Sequence, residues 1–318
     1  MVVRALGTDA YFLHQLMPDS PTSTTTAPET HTIPARDGVP LGALLFLPPN
    51  AQVPRAAVQL NPATGAKRRY YEPFAQYLAA AGFAVCLWDY RGAEHSRPVP
   101  LARAPYRFAD YGTLDMPAVL DWLEARFPGR PLLVLGHSVG GQQVGLMPNV
   151  HKLAGLVAVA TSVGYWKYMP LGYRLKTHFF FHLLSPLSHA LLGYTAARRW
   201  GIMEDLPRGV VEDWRRWCSV PDYFFDPRFA ADLPPHQYQD LRFPVSVYWA
   251  TDDPIANARS VPQFWQHVRS ARGVELHRLV PAALGVKRID HFGFFRRGLR
   301  PTLWPRLLAD LTRMATGQ

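Results

Sequence analysis

The chain has 318 residues, 48% of them hydrophobic and 18% charged, with 34 basic against 24 acidic side chains and a net charge of +10. That composition excludes a disordered chain, and the length accommodates one large α/β domain carrying an insertion. The basic excess is scattered in pairs such as Arg198-Arg199, Arg215-Arg216 and Arg296-Arg297. No basic run interleaves with stacking aromatics, so no nucleic-acid partner is expected, and only weak association with a membrane surface.

Arg4, Asp9 and His14 interrupt residues 1–17, which therefore do not read as a signal peptide. The Pro- and Thr-rich stretch PDSPTSTTTAPET follows, and residues 1–30 together are expected to form a disordered leader. HTIPA, an Asp37-Gly38 turn and PLGALLFLP then predict two short antiparallel strands. Next come two apolar runs, AAVQLN (56–61) and FAVCLWD (83–89), separated by the helical pattern YEPFAQYLAAAG. PLLVLGH (131–137) and LAGLVAVAT (153–161) are two more buried strands, with helices expected at about 110–127 and 139–147. Continuous apolar strands joined by helical crossovers predict a mostly parallel sheet covered by helices on both faces.

The alternation stops between about Val163 and Leu241, where aromatics and prolines accumulate: Tyr165, Trp166, Phe179, Phe180, Phe181, Trp214 and Trp217 among them. The segment is too long for a connection and too apolar for a disordered loop, so 163–241 is expected to be a helical lid. It would divide the core into residues 31–162 and 242–318. Within the second part FPVSVYWA (243–250), VELHRL (274–279) and a helix near 301–315 complete the domain. The longest apolar stretch, Phe179–Leu192, is broken by His182, Pro186 and His189, against a membrane-spanning helix. Cys86 and Cys218 have neither a CxxC partner nor zinc-ligand spacing. They read as reduced thiols of a cytoplasmic protein, with no metal expected.

The chemistry concentrates at Gly136-His137-Ser138-Val139-Gly140. A strand that turns at once into a helix holds the residue at the turn in a strained conformation and needs small neighbours two positions before and after it. Gly136 and Gly140 supply these, and Ser138 would stand clear of the sheet as a nucleophile. A phosphate cradle fits less well, because the stretch has neither a P-loop ending nor a G-x-G-x-x-G pattern. Carboxylates follow a later strand in Thr251-Asp252-Asp253-Pro254-Ile255, and a histidine follows the last strand in Asp290-His291-Phe292. Asp253 before a proline also fits a helix cap. The order Ser…Asp…His is nevertheless the one expected of a triad on this kind of sheet.

At these residues the chain resembles an α/β-hydrolase of the serine aminopeptidase or monoglyceride-lipase-like branch. NPATG (61–65), DYRG (89–92) with Ser96, GHSVGG, ATDDPIA (250–256) and DHFGFF (290–295) carry the resemblance, over roughly residues 31–315. The resemblance selects Asp253 as the acid, with Asp252 as the alternative. It implies oxyanion donors from the backbone of Val139 and of Ala63 or Thr64, because Pro62-Ala63 stands where many relatives carry His-Gly. It makes Asp89 and Arg91 structural, as a buried ion pair or loop anchor.

The expected activity is hydrolysis of an ester or thioester of a hydrophobic acyl substrate through Ser138, His291 and Asp253, without cofactor. The alternatives are a binding scaffold with an idle triad and an aminopeptidase-type amide hydrolase. The intact triad speaks against the first, and the lack of an identifiable acidic site for a substrate amine against the second.

Overall fold

The computed structural model describes residues 27–317. Among the described residues ten strands occur in chain order: β1 (Glu29–Pro34), β2 (Pro40–Phe46), β3 (Ala57–Asn61), β4 (Ala84–Trp88), β5 (Leu132–His137), β6 (Leu153–Val159), β7 (Tyr194–Thr195), β8 (Leu206–Pro207), β9 (Val245–Ala250) and β10 (Val274–Leu279). Eight of them form one sheet in the order β1-β2-β4-β3-β5-β6-β9-β10. β2 pairs antiparallel with β1 and β4, and every later pair is parallel. Every residue of β3, β4 and β5 is buried. A strand covered on both faces has no solvent side for polar residues, which is why these stretches read as unbroken apolar runs.

On one face α1 (Glu72–Ala80) and α8 (Arg300–Ala315) lie side by side, with the rings of Phe74 and Trp304 edge to face at 5.3 Å. On the other α2 (Met116–Arg126) packs against β1 and β3, its Trp122 ring 4.9 Å from His31. The chain leaves β3 toward β4 on one side, while β5 lies on the other side and leads outward to β6. The loops after β3 and β5 thus flank the point where the winding reverses, the place where sheets of this kind bind ligands.

Several expectations need correction. Residues 1–26 of the proposed leader lie outside the described residues, but Glu29 and Thr30 already pair with Leu45 and Leu44 in β1. The helix expected over 139–147 is a single turn, α3 (Val139–Gln142), followed by a short 3-10 turn at Val144–Leu146. Gly140, Gly141 and Gly145 are poor helix formers and account for the early stop. The helix expected at 110–127 opens as a π turn over Tyr111–Asp115 before α2. A short α7 (Ser260–Trp265) between β9 and β10 was not legible, since six residues with Pro262 carry no helical period.

The segment between β6 and β9 is largely helical, with β7 and β8 pairing as a small ribbon that the sequence did not announce. α4 (Leu171–Phe179) continues through a π turn at Phe180–Leu184 into α5 (Ser185–Leu192). The wider turn lies just ahead of Pro186, whose ring and missing N–H would otherwise conflict with the preceding turn. Gly193, at φ 78°, takes the left-handed conformation that ends α5. α6 (Arg208–Trp217) follows the ribbon. Much of the aromatic content of this segment is core: Trp217, Tyr223 and Phe224 are buried and meet Tyr238, Phe108 and Phe264.

Candidate active site

Ser138 sits between β5 and α3 at φ 54° and ψ −114°, strained for a residue with a side chain. Its neighbours show what holds it there. A Cβ on Gly136 would lie 2.2 Å from the Gly140 carbonyl oxygen, one on Gly140 would lie 2.3 Å from that of Asn61, and one on Gly141 would lie 2.3 Å from Thr161 Oγ1. The Ser138 N–H donates to the Val159 carbonyl at 2.8 Å, Thr161 Oγ1 donates to the Ser138 carbonyl at 3.2 Å, and Asn61 Nδ2 donates to the Gly140 carbonyl at 3.1 Å. The serine itself is half-buried, and its hydroxyl has no hydrogen-bond partner among the described residues, His291 included. Such contacts are often long until substrate binds.

His291 and Asp253 meet directly, Nδ1 to Oδ2 at 2.8 Å, and both are buried. The other carboxylate oxygen of Asp253 accepts from the N–H groups of Ile255 at 2.7 Å and Ala256 at 3.0 Å, which holds the carboxylate in place beside the imidazole. Its position before Pro254 is therefore a cap as well, and the two roles use different oxygens. Asp252, the alternative acid, accepts from the N–H groups of Ile289 at 2.9 Å and Asp290 at 3.1 Å. Its carboxylate thus ties down the backbone that delivers His291. Asp290, at φ 56°, caps the next turn through the N–H groups of Phe292 and Gly293.

One of the expected oxyanion donors is already engaged. The Ala63 N–H already donates to Tyr71 Oη at 3.0 Å. The N–H groups of Thr64 and Val139 have no acceptor among the described residues. As α3 is one turn long, it contributes individual N–H groups and little macrodipole.

Sequence reasoning missed the network that joins these parts. His137 Nε2 lies 2.9 Å from the His291 carbonyl oxygen, and His137 Nδ1 lies 2.7 Å from Tyr71 Oη. A carbonyl can only accept, so the His137 proton is on Nε2 and its Nδ1 accepts from the tyrosine. Burial, with the nearby His291 adding to it, holds His137 well below the usual histidine range and keeps it neutral. One chain of hydrogen bonds therefore runs from the loop after β3, through the residue before Ser138, to the backbone of His291. The signal was a histidine within the elbow motif, which the spacing rule treats as an unspecified position. Tyr71→Phe should strand the Ala63 N–H and His137 Nδ1, lowering stability by about 2 kcal/mol. Ester hydrolysis should fall at least tenfold. An unchanged melting temperature and rate would show that the network is idle.

Of the basic run Lys67-Arg68-Arg69 in this loop, two members are paired: Lys67 Nζ lies 3.0 Å from Glu204, and Arg68 Nη1 lies 3.3 Å from Asp89. Asp89 and Arg91 are structural but do not pair with each other. Asp89 also meets His95 at 2.9 Å, whereas Arg91, 2% exposed, is held by Asp37 and Asp115. From the insertion, burial pushes the Tyr173 phenol of α4 up to about 12, with the charges of Asp253 and Asp290 contributing, so this face of α4 looks toward those two carboxylates.

Residues 52–200 match the family model described as serine aminopeptidase, S33. Comparison with curated proteins returns no match. Among solved structures the chain resembles a soluble variant of monoglyceride lipase from Saccharomyces cerevisiae in complex with a substrate analog, with TM-score 0.61 and 16% identity over 94% of this chain and 97% of that one. It also resembles a highly thermostable carboxyl esterase from Bacillus coagulans in complex with glycerol, with TM-score 0.58 and 14% identity over 92% of this chain and 100% of that one. A third is a Pyrococcus furiosus esterase, with TM-score 0.56 and 15% identity over 95% and 94%. From the sheet order, the strained serine after β5 and the partial match over 52–200, the chain has the α/β-hydrolase fold.

Proposed function

We propose that this α/β-hydrolase is a serine esterase that cleaves an ester of a hydrophobic acyl group through Ser138, His291 and Asp253. The observation that carries the proposal is the buried His291–Asp253 contact at 2.8 Å, with the second Asp253 oxygen occupied by backbone donors. His291 Nε2 takes the Ser138 proton as Oγ attacks the carbonyl carbon. Asp253 holds the proton on Nδ1 and stabilises the imidazolium. The N–H groups of Thr64 and Val139 receive the oxyanion, His291 returns the proton to the departing alcohol, and water repeats the steps on the acyl-enzyme.

The residues around the pair support an apolar ester over an aminopeptidase substrate. Phe292 stands beside His291 and is 40% exposed, and Tyr173 of α4 lies within the electrostatic reach of Asp253 and Asp290. Asp252, Asp253 and Asp290 all spend their carboxylates on N–H groups, His291 or arginine, so they offer no free anion to a substrate amine. In this reading residues 163–241 act as a lid.

A fluorophosphonate probe should label the wild-type protein, and Ser138→Ala should abolish the labelling. Turnover of p-nitrophenyl esters should then rise with acyl chain length to an optimum. A wild-type protein that stays unlabelled yet binds a small molecule would favour the non-catalytic scaffold instead.

A further inference from the structure

The near-continuous helix formed by α4, the π turn and α5 has two unlike faces. Phe180, Phe181, Leu184 and Ser188 are buried beneath it. On its outer side Leu171, Leu175, Phe179, Leu183, Leu187 and Leu191 recur every fourth residue and are between 44% and 73% exposed. In a regular α-helix a row with that spacing drifts around the axis by about 40° per step. The π turn takes up an extra residue in the middle of the row and offsets part of the drift, which keeps the six side chains in one strip. An apolar strip of this length left in water marks an interaction surface.

The charges around the strip say what it fits. Lys167 and Lys176 are exposed, and Arg174 is half-buried with its Nε unpartnered. Residues 125–203 contain no Asp or Glu, and Arg198, Arg199 and Trp200 are exposed just after α5. An outward apolar row with cations and no anions on its helix is what a helix lying in a membrane interface requires. A second copy of the chain is a poor occupant. A two-fold contact would set the strip against itself and bring both sets of cations together. Among the described residues no helix is long and apolar enough to cross a membrane, so the helix would lie along the surface.

We propose that the outer face of residues 171–192 docks this protein on an anionic phospholipid bilayer. The leucine strip enters the boundary of the acyl chains, and Lys167, Arg174 and Lys176 meet the headgroup phosphates. The inner face of the same helix carries Tyr173 toward the candidate site, so docking would set that site next to the lipid. The attachment itself does not depend on the esterase proposal.

The test is sedimentation of the full chain with vesicles of phosphatidylcholine alone or with a quarter phosphatidylglycerol. The wild-type protein should pellet with the anionic vesicles, more weakly as salt rises, and Ser138→Ala should behave identically, which separates docking from chemistry. The triple variant Leu175→Ser/Leu183→Ser/Leu187→Ser changes only exposed positions, and its circular dichroism and melting temperature serve as the folding control. It should bind at least tenfold more weakly, and Lys167→Glu/Lys176→Glu should lose the preference for anionic lipid. Wild-type protein left in the supernatant with both vesicle types would overturn the proposal, as would a folded triple variant that binds like wild type. A concentration-dependent dimer in light scattering, dissolved by the triple variant without any vesicle binding, would assign the strip to a second copy.

Discussion

Ser138→Ala and His291→Ala should each lower kcat for p-nitrophenyl ester hydrolysis by about 10⁴- to 10⁶-fold, and the double variant should fall no further. In the proposed mechanism the two side chains act on one event, the transfer of the serine proton as the new C–O bond forms, so removing either removes the whole event. In that mechanism, what survives comes from binding and from the N–H groups of Thr64 and Val139. Neither substitution removes a backbone contact of the frame. The His137 contact is to the His291 carbonyl, which alanine retains, and the Ser138 backbone bonds to Val159 and Thr161 do not involve the hydroxyl. Stopped-assay rates on purified variants, with thermal melts as the control for folding, check this. If the two losses multiply in the double variant, the residues work independently and the proposed mechanism fails.

Asp253→Asn should cost about 10⁴-fold in kcat with the fold intact. The asparagine amide can turn its N–H toward His291 Nδ1, which forces the ring proton onto Nε2 and leaves no lone pair there to accept from the serine. Asp252→Asn should act differently. It loses one of two acceptors for the N–H groups of Ile289 and Asp290, so it should lower stability by about 1–3 kcal/mol and kcat by less than 100-fold. Thermal unfolding and kcat measured together separate a positioning carboxylate from one that holds the imidazole. If Asp252→Asn proves the more damaging to kcat at equal stability, the acid is Asp252.

Those two adjacent aspartates show where sequence legibility ended. The elbow was legible because its strain is encoded locally: three glycines are needed within a few residues of one serine, whatever the rest of the chain does. The sheet was legible for a similar reason, since burial on both faces leaves an unbroken apolar run. Which aspartate faces the histidine depends on hydrogen bonds to a loop some 38 residues later, so the residues alone left it open and only the family resemblance singled out Asp253. The choice between Ala63 and Thr64 depends in the same way on a tyrosine hydroxyl that reaches back to a main-chain N–H. In the insertion, composition registered the aromatics but not their direction. Tertiary packing turned Trp217, Tyr223 and Phe224 inward and left a row of leucines outside.

The long reach between the two halves of the site also bears on biosynthesis. His137 and His291 are 154 positions apart, and the histidine loop comes after β10, the strand at the far edge of the sheet. A nascent polypeptide on the ribosome would already have made its serine and the glycines around it while the imidazole was still untranslated. The enzyme would stay latent until its final strand and helix had emerged, so the onset of reactivity would mark the completion of the fold.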